Sequence, residues 1–407
     1  MYSVSHISTS SIEGGSAISA RRIHEQLRAD GIKSQLFVSD KDEIENCIYY
    51  LTKYPKIRIV DNLFNLFFNK LGLQYFFIPS SLFFNKKIIK SSIIQLYNIH
   101  GGYFQLSNLR RLKKIPMIWR LSDYWSMTGH CAYPGNCEKW MSQCQQCPSL
   151  DSYPSIGLDN TNNIWKEKKE IINNLNIKIV VPSTRLYNDV KKSPILKNKE
   201  TYIIPNGIDT DKFKPLNKSK AREKLKISNK FSISFIAQVA FNNFRKGTHI
   251  LKEVIESFKD NKNIQFLVAG IDSNKWENYS FNNLIHFNYN KDTEWKRLFY
   301  NASDLVIVPS IHENFPNVIL ESMSCGTPVI SFNTGGISNI INSKNGVLIE
   351  NLNTKELIKS ISLLSKKNNL VSKLEKCSRE TILRNFSVER EVNSYIEIYR
   401  NIINEKN

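Results

Sequence analysis

Long apolar runs are missing from this sequence of 407 residues. The charge-free run 71–85 contains Pro79 and is too short to cross a bilayer. The opening residues, MYSVSHISTS, lack the basic and apolar regions of an export signal. The sequence therefore predicts a cytoplasmic protein, and seven cysteines in a reducing compartment argue against a disulfide framework.

Acidic residues are scarce in one part of the chain. Between Leu51 and Arg120, basic residues outnumber acids twelve to one, and Asp61 is the one acid; the whole chain carries a net charge of +19. Aromatic rings are mixed with these cations: Phe64, Phe67, Phe68, Tyr75, Phe76, Phe77, Phe83 and Phe84. Such a surface suits an anionic membrane face or a lipid-linked acceptor, and equally nucleic acid. The alternative is a helical face whose rings pack in a core; we expect membrane contact.

The length of the chain predicts two domains, which would face each other across a cleft. Strands and helices alternate from Ser3 onward, and the alternation restarts at Ser232 after the charged stretch 214–230. This pattern predicts two doubly wound α/β sheets. We place the first domain at residues 1–215 and the second at 216–387.

The segment 304–336 carries two acids in a strand-loop-helix pattern. A buried strand is predicted over Leu305 to Val308, a helix follows from Asn317, and another is predicted near Ile337. Glu313 falls in the loop and Glu321 in the helix. Carboxylates only accept hydrogen bonds, so they suit the vicinal hydroxyls of a sugar or ribose. The alternative is a solvated loop residue and a surface helix charge.

Two further turns are candidates for phosphate binding. Arg245 and Lys246 lie between the first strand and the first helix of the second half, where cations and helical N–H groups can neutralise a diphosphate without a metal. Gly14 and Gly15 separate the first strand from the first helix and allow close approach of a phosphate or sugar. The alternatives are a solvated charge run and a plain tight turn.

Polar residues also follow two strands of the first half. His100 comes after the strand 93–97 and Asp123 after the strand 116–121, so both would lie at the carboxyl edge of the sheet. His100 could act as an acid, a base or a sugar-binding donor, or it could be structural.

Four of the cysteines are clustered. Cys131, Cys137, Cys144 and Cys147 have a C-x5-C-x6-C-x2-C spacing, which favours a structural zinc site. The alternatives are reduced packing cysteines or a redox pair at Cys144 and Cys147.

The run E-N-F-P-N-V-I-L-E at 313–321 resembles the Glu-x7-Glu signature of the family 4 retaining glycosyltransferases, which have the GT-B fold. Across the cysteine segment the chain also resembles members that build bacterial surface polysaccharides of the capsule, O-antigen and colanic-acid types. The resemblance implies that Glu313 contacts the donor sugar and Glu321 the ribose. It also implies that backbone amides of the following loop hold the sugar, at Phe315, Asn317 and Val318.

The same resemblance extends to other parts of the chain. It implies that Arg245 and Lys246 stabilise the leaving diphosphate, that the Gly14–Gly15 loop closes over the phosphates, and that a last helix, 388–407, packs back on the first domain. One departure is Ser122, where family members typically have a histidine. His100 and Asp123 are therefore the candidates for acceptor or sugar contacts.

The resulting prediction is a retaining glycosyltransferase of the hexosyltransferase type. It would move a sugar from a nucleotide diphosphate sugar, bound by the second domain, to a lipid-linked glycan bound by the first. The resemblance implies no catalytic metal and no nucleic-acid partner, and the basic segment predicts a peripheral position on the inner membrane face. The alternatives are another GT-B nucleotide-sugar enzyme, such as an epimerase, or a non-catalytic basic protein that binds membrane or nucleic acid.

Overall fold

The computed structural model describes residues 2–40, 47–279 and 281–405. The chain divides into two compact units, residues 1–205 with 391–407 and residues 206–390. Each unit is built on its own parallel sheet. The predicted boundary at 215/216 falls inside the second unit.

The first unit has a seven-stranded sheet in which every neighbouring pair is parallel. Its strand order is 3-2-1-4-5-6-7. The strands are β1 (Ser3–Ser10), β2 (Lys33–Asp40), β3 (Ile48–Tyr50), β4 (Ile93–Leu96), β5 (Met117–Arg120), β6 (Ile177–Val181) and β7 (Thr201–Ile203). The α-helices are α1 (Gly15–Ala29), α2 (Arg58–Lys70), α3 (Lys86–Ile89), α4 (Asn108–Arg111), α5 (Thr161–Asn173) and α6 (Thr184–Lys192).

The second unit has a six-stranded parallel sheet. Its strands are β8 (Phe231–Ile236), β9 (Ile264–Gly270), β10 (Leu284–Asn288), β11 (Leu305–Val308), β12 (Val329–Phe332) and β13 (Gly346–Ile349), in the order β10-β9-β8-β11-β12-β13. The helices are α7 (Lys218–Leu225), α8 (Thr248–Ser257), α9 (Thr293–Ala302), α10 (Asn317–Ser324), α11 (Thr354–Leu364), α12 (Asn368–Asn385) and α13 (Val388–Asn404). Helix α13 begins in this unit and continues in the first.

The strands form where the sequence offers short apolar runs. All residues of β4, β5, β6, β9, β11 and β12 are buried, as expected for strands covered on both faces. Several helices start at a side-chain cap; Ser183 accepts from the Leu186 N–H, and Asp292 accepts from the N–H groups of Glu294 and Trp295. The prediction of two doubly wound α/β units is confirmed.

The helix predicted to begin near Ile337 does begin there, but it is only a short 3₁₀ helix, Ile337–Asn339. Ile337, Ile340 and Ile341 are all buried, and β13 already begins at Gly346, so too few residues remain for a longer helix.

Both sheets reverse their strand order at one point. In the first unit this point lies between β1 and β4, and in the second between β8 and β11. Polar ligands of open α/β sheets bind outside the carboxyl ends of the strands at such a point. The loops that follow these four strands are therefore where each unit is expected to bind its ligand.

The two ends of the second unit lie side by side. Ile208 pairs with Ser387 in an isolated parallel bridge. The Ile208 N–H donates to the Phe386 carbonyl at 2.8 Å, and the Val388 N–H donates to the Ile208 carbonyl at 3.1 Å. Gly207 is packed so closely that a Cβ there would lie 2.5 Å from the Ser387 carbonyl oxygen.

Candidate active site

The loops after β8 and β11 bring three of the predicted site residues together. Lys246 Nζ forms an ion pair with Glu313 Oε1, and the Arg245 guanidinium lies 3.7 Å from the same oxygen. Arg245 also donates to the His312 carbonyl at 3.2 Å, and its own carbonyl accepts from the Ile311 N–H at 3.0 Å. The cationic loop and the acidic loop are thus joined at the point where the sheet reverses its order.

Glu313 is held as a carboxylate. Its side chain is only 8% exposed, and this burial opposes ionisation. The charges of Lys246 and Arg245 outweigh the burial, so the pKa of Glu313 lies below its usual value. The side chain can therefore accept hydrogen bonds from ligand hydroxyls at neutral pH. Arg245 and Lys246 keep 31% and 23% of their side chains exposed and remain accessible to an anion.

Two glycines allow these loops to pack tightly. Gly247 has a φ of +72°, and a Cβ there would lie 1.9 Å from the Pro309 carbonyl oxygen. Gly335 has a φ of +59°, and a Cβ there would lie 1.7 Å from the Glu313 carbonyl oxygen. The Gly336 N–H then donates to the Asn314 carbonyl at 2.8 Å. The backbone position of Glu313 therefore depends on a residue without a side chain at 335.

Asn206 fixes the end of the Glu313 loop. Its amide donates to the Phe315 carbonyl at 3.2 Å and to Asn317 Oδ1 at 3.1 Å. Phe315 is buried against Phe386, with ring centroids 5.9 Å apart. Val318 is half-buried and packs against the core of this unit. The turn that carries Asn206 therefore supports the predicted loop residues, although the sequence analysis did not assign this turn to the site.

Glu321 lies with a different set of partners. Its side chain is buried, and Oε2 accepts a hydrogen bond of 2.7 Å from the Tyr300 hydroxyl. The carboxylate also raises the pKa of buried Lys296. Tyr300 and Lys296 belong to α9, which precedes β11. Their spacing of four residues places them on one face of α9, but it does not link that face to Glu321.

In the first unit, the loops after β4 and β5 meet through His100 and Asp123. His100 Nε2 lies 2.7 Å from Asp123 Oδ2, and both residues are 5% exposed. Asp123 Oδ1 accepts from the Trp125 N–H at 2.9 Å. The imidazole ring contacts the rings of Trp125 and Tyr153, at centroid distances of 5.6 and 5.7 Å. A carboxylate that orients an imidazole in this way is a common arrangement for proton transfer and for binding hydroxyl groups.

Ser122 connects the loop after β5 to the start of α1. Its hydroxyl accepts from Arg120 at 3.1 Å and donates to Ser16 Oγ at 3.2 Å. Ser16 directly follows Gly14 and Gly15, which form the cap and first residue of α1. Gly14 has a φ of +88° and no atom within 4 Å of the position of a Cβ. Ser122 thus supports the Gly14–Gly15 turn.

The four clustered cysteines line one small cavity beside α5, together with His130. His130 Nδ1 donates to the Pro154 carbonyl at 2.9 Å, which leaves Nε2 to face Cys147 Sγ at 3.3 Å. Burial raises the pKa of Cys131 to about 12 and that of Cys144 to about 11. Among the residues that the structure describes, no group of three or more His, Cys, Asp or Glu side chains is arranged to hold a metal ion. The zinc site stays a prediction, and elemental analysis of the purified protein checks it.

Comparison with known proteins identifies the second unit. Residues 217–381 match the family "Glycosyl transferases group 1". Over 371 residues the chain is 21% identical to the putative colanic acid biosynthesis glycosyl transferase WcaC of Escherichia coli K12, covering 85% of this chain and 87% of that protein.

Solved structures show the same fold over the whole length. Sucrose-phosphate synthase of Thermosynechococcus elongatus has a TM-score of 0.72 at 18% identity, with 100% of both chains covered. HepE of Anabaena in complex with UDP-glucose has a TM-score of 0.68 at 14% identity, covering 98% of this chain and 100% of that one.

The second unit is therefore a glycosyltransferase group 1 domain. The chain as a whole is a glycosyltransferase, and its two parallel-sheet units are those of the GT-B fold.

Proposed function

We propose that this glycosyltransferase moves a sugar from a nucleotide diphosphate sugar to a lipid-linked glycan, with retention of the anomeric configuration, during surface polysaccharide assembly. The proposal depends above all on the cluster of Arg245, Lys246 and Glu313 at the strand reversal of the second unit. The UDP-glucose complex of HepE supports a nucleotide-sugar donor. The likeness to a colanic acid enzyme supports a polysaccharide acceptor.

The cation pair fits a leaving diphosphate. In the transition state negative charge develops on the diphosphate oxygens, and two cations fixed beside them stabilise that charge without reorganisation. Lys246 and Arg245 are already held in place by Glu313, which shields their charges until an anion arrives.

The two acids fit the donor's hydroxyl groups. Glu313 accepts hydrogen bonds from the donor sugar, while Phe315, Asn317 and Val318 offer backbone N–H groups in the loop that Asn206 supports. Glu321 accepts from the ribose and shares its remaining capacity with Tyr300.

The chemical step needs no protein nucleophile. The acceptor hydroxyl attacks the anomeric carbon while the bond from that carbon to the diphosphate oxygen breaks. The proton of the hydroxyl passes to an oxygen of the departing diphosphate, on the same face of the sugar. His100, oriented by Asp123, is proposed to bind an acceptor or sugar hydroxyl.

The test combines binding, turnover and product analysis. Titration calorimetry with uridine and guanosine diphosphate sugars should detect one tight donor, and NMR of the glycan product should show the anomeric configuration of that donor. Glu313→Gln and Lys246→Met should each lower kcat by about a hundredfold or more. The exposed Lys344→Met serves as the control. The proposal would be overturned by a product with the inverted anomeric configuration or by conversion of the donor alone into another nucleotide sugar. Full activity in both variants would also overturn it.

A further inference from the structure

Helix α2 is amphipathic in the opposite sense from an ordinary surface helix. Its buried residues are the polar Asp61 and Asn65. Its outward face carries large apolar side chains, with exposed fractions from 37% to 73%: Ile59, Val60, Leu63, Phe64, Leu66 and Phe67. A surface helix of a globular protein normally turns its apolar stripe to the core. An exposed apolar stripe of this size indicates a binding surface.

The apolar surface continues beyond the helix. Leu71, Phe76, Leu82, Phe83 and Ile89 are 42% to 60% exposed. More than half of the exposed large apolar side chains in residues 2–40, 47–279 and 281–405 lie between Tyr54 and Ile89. The surface is therefore a local feature of one segment and is not a general property of the protein.

The exposed charges of this segment have one sign, and the exposed acid Asp159 lies on the loop that packs against residues 69–72. Lys53, Lys56, Lys70, Lys86, Lys87 and Lys90 are all exposed around the apolar residues. The one acid between Leu51 and Arg120 is Asp61, and it points inward, where Oδ1 accepts from the Ser80 N–H at 2.9 Å. The exposed part of the segment thus combines hydrocarbon with positive charge. An anionic phospholipid surface complements both features, whereas a second copy of the same cationic face would be repelled.

We propose that α2 inserts its apolar face into the headgroup and upper acyl region of an anionic bilayer, with the surrounding lysines on the lipid phosphates. No helix in the described ranges has the length and apolar character to span a bilayer, so this contact is interfacial. The helix lies in the membrane plane and the polar face stays on the protein.

The polar face of α2 docks on the loop that carries His100. The Gly102 carbonyl accepts from Asn65 at 2.6 Å and from Arg58 at 3.2 Å. A Cβ at Gly102 would lie 2.6 Å from Asn65 Nδ2, so helix and loop are in direct contact. Insertion of α2 therefore holds the His100–Asp123 pair close to the bilayer surface, where a lipid-linked acceptor presents its sugar. This second step depends on the proposed function; the insertion itself does not.

The first experiment measures insertion with the full chain. Vesicles of phosphatidylcholine alone and of phosphatidylcholine mixed with phosphatidylglycerol are floated with the protein. We expect binding to the anionic vesicles, with quenching of a Phe67→Trp variant by acyl-brominated lipid. Leu63→Gln with Leu66→Gln should reduce the bound fraction at least tenfold. The matched control is Leu363→Gln with Leu383→Gln, which are exposed to a similar degree on helices of the second unit and should leave binding unchanged.

A second measurement separates electrostatics from insertion. Lys86→Glu with Lys87→Glu and Lys90→Glu should weaken binding, whereas Lys366→Glu with Lys367→Glu and Lys373→Glu should not. Three results would overturn the proposal. The protein could fail to bind anionic vesicles, or binding could survive the Leu63 and Leu66 changes. The protein could also be a dimer that those changes convert to a monomer.

Activity assays distinguish this inference from the proposed function. The Leu63 and Leu66 double variant should keep its turnover with a water-soluble acceptor and lose it with an acceptor embedded in anionic vesicles. Equal activity of the variant on both acceptors would overturn the membrane inference and leave the transfer reaction intact. Absence of any transfer by the wild-type protein would count against the proposed function and leave the insertion result unaffected.

Discussion

At the scale of single residues, the candidate site depends on close backbone packing as much as on its charged side chains. The backbone carbonyl of Glu313 lies against Gly335. Gly247, which follows Lys246, lies against the carbonyl of Pro309. Neither contact tolerates a side chain. The sequence shows the charged residues directly, but it does not show which glycines touch the loops that carry them.

Gly335→Ala is expected to lower both stability and activity. The new Cβ would meet the Glu313 carbonyl at 1.7 Å, and the residue has a φ of +59°, so the loop must move. We expect a loss of about 2 to 3 kcal/mol in the free energy of unfolding and at least a tenfold loss of kcat. Thermal melts and transfer assays measure the two effects.

Gly31→Ala is the matched control for this change. Gly31 also has a positive φ, +77°, but no atom lies within 4 Å of its Cβ position. It should therefore cost only the backbone strain, about 1 to 2 kcal/mol, and leave activity intact. Equal activity in the two variants would contradict the role given to Gly335.

At the scale of elements, α5 carries a buried cation. Lys168 is fully buried; its Nζ donates to the carbonyls of Trp125 at 2.6 Å and Thr128 at 3.1 Å and lies 3.7 Å from the centre of the Trp125 ring. Burial lowers the pKa of Lys168 to about 7. The helix thereby ties together the loop after β5 and the start of the cysteine segment.

This lysine should make stability depend on pH. Its pKa is lower in the folded chain than in the unfolded chain, so above pH 7 the unfolded chain binds more protons and the free energy of unfolding rises with pH. The rise is at most about 1.4 kcal/mol per pH unit. Melts between about pH 7 and about pH 8 stay below the thiol pKa of about 8.5, so thiol ionisation in the unfolded chain contributes less than Lys168. Lys168→Met should flatten the rise, and the exposed Lys166→Met should keep it; a flat wild-type profile would refute the assignment.

The sequence predicts these elements well where burial alone decides them. The predicted strand Leu305–Val308 has those bounds in the structure, because a short run of β-branched residues between polar ends has one stable solution. Helix α2 is the opposite case. Periodicity identifies an apolar face, but it does not say whether that face meets the core or the outside, and here the polar Asp61 and Asn65 are inside.

The charged residues of the candidate site could be predicted from the sequence, but the residues that support them could not. Arg245, Lys246 and Glu313 are far apart in sequence, and the doubly wound pattern already indicates that the loops carrying them meet. The supporting residues were not predictable in this way. Asn206 and Tyr300 act through single hydrogen bonds across the fold, and no local pattern marks such partners.

At the scale of the whole molecule, the last helix completes the first unit. Glu391 in α13 has a fully buried side chain that lies 3.2 Å from the Arg22 guanidinium and 3.7 Å from that of Arg120. Tyr395 and Tyr399 are also buried in this unit. Helix α13 therefore packs against α1 and β5, and the Tyr399 hydroxyl donates to Gln95 in β4.

Glu391→Ala should destabilise the first unit strongly. It leaves the buried Arg120 and the partly buried Arg22 without this carboxylate, and the loss of one partner of a buried ion pair typically costs about 3 to 5 kcal/mol. Thermal or urea unfolding followed by circular dichroism measures the loss. Glu397→Ala, at an exposed position of the same helix, should have almost no effect. Similar losses in both variants would show that the helix matters and the ion pair does not.

The bridge between Ile208 and Ser387 has a consequence for protein engineering. A segment whose two junctions touch can be exchanged as one piece, since no connection has to be lengthened. Residues 208–387 can thus be exchanged as one piece, and under the proposed function hybrids that carry the corresponding segment of another glycosyltransferase should differ in the sugar they transfer.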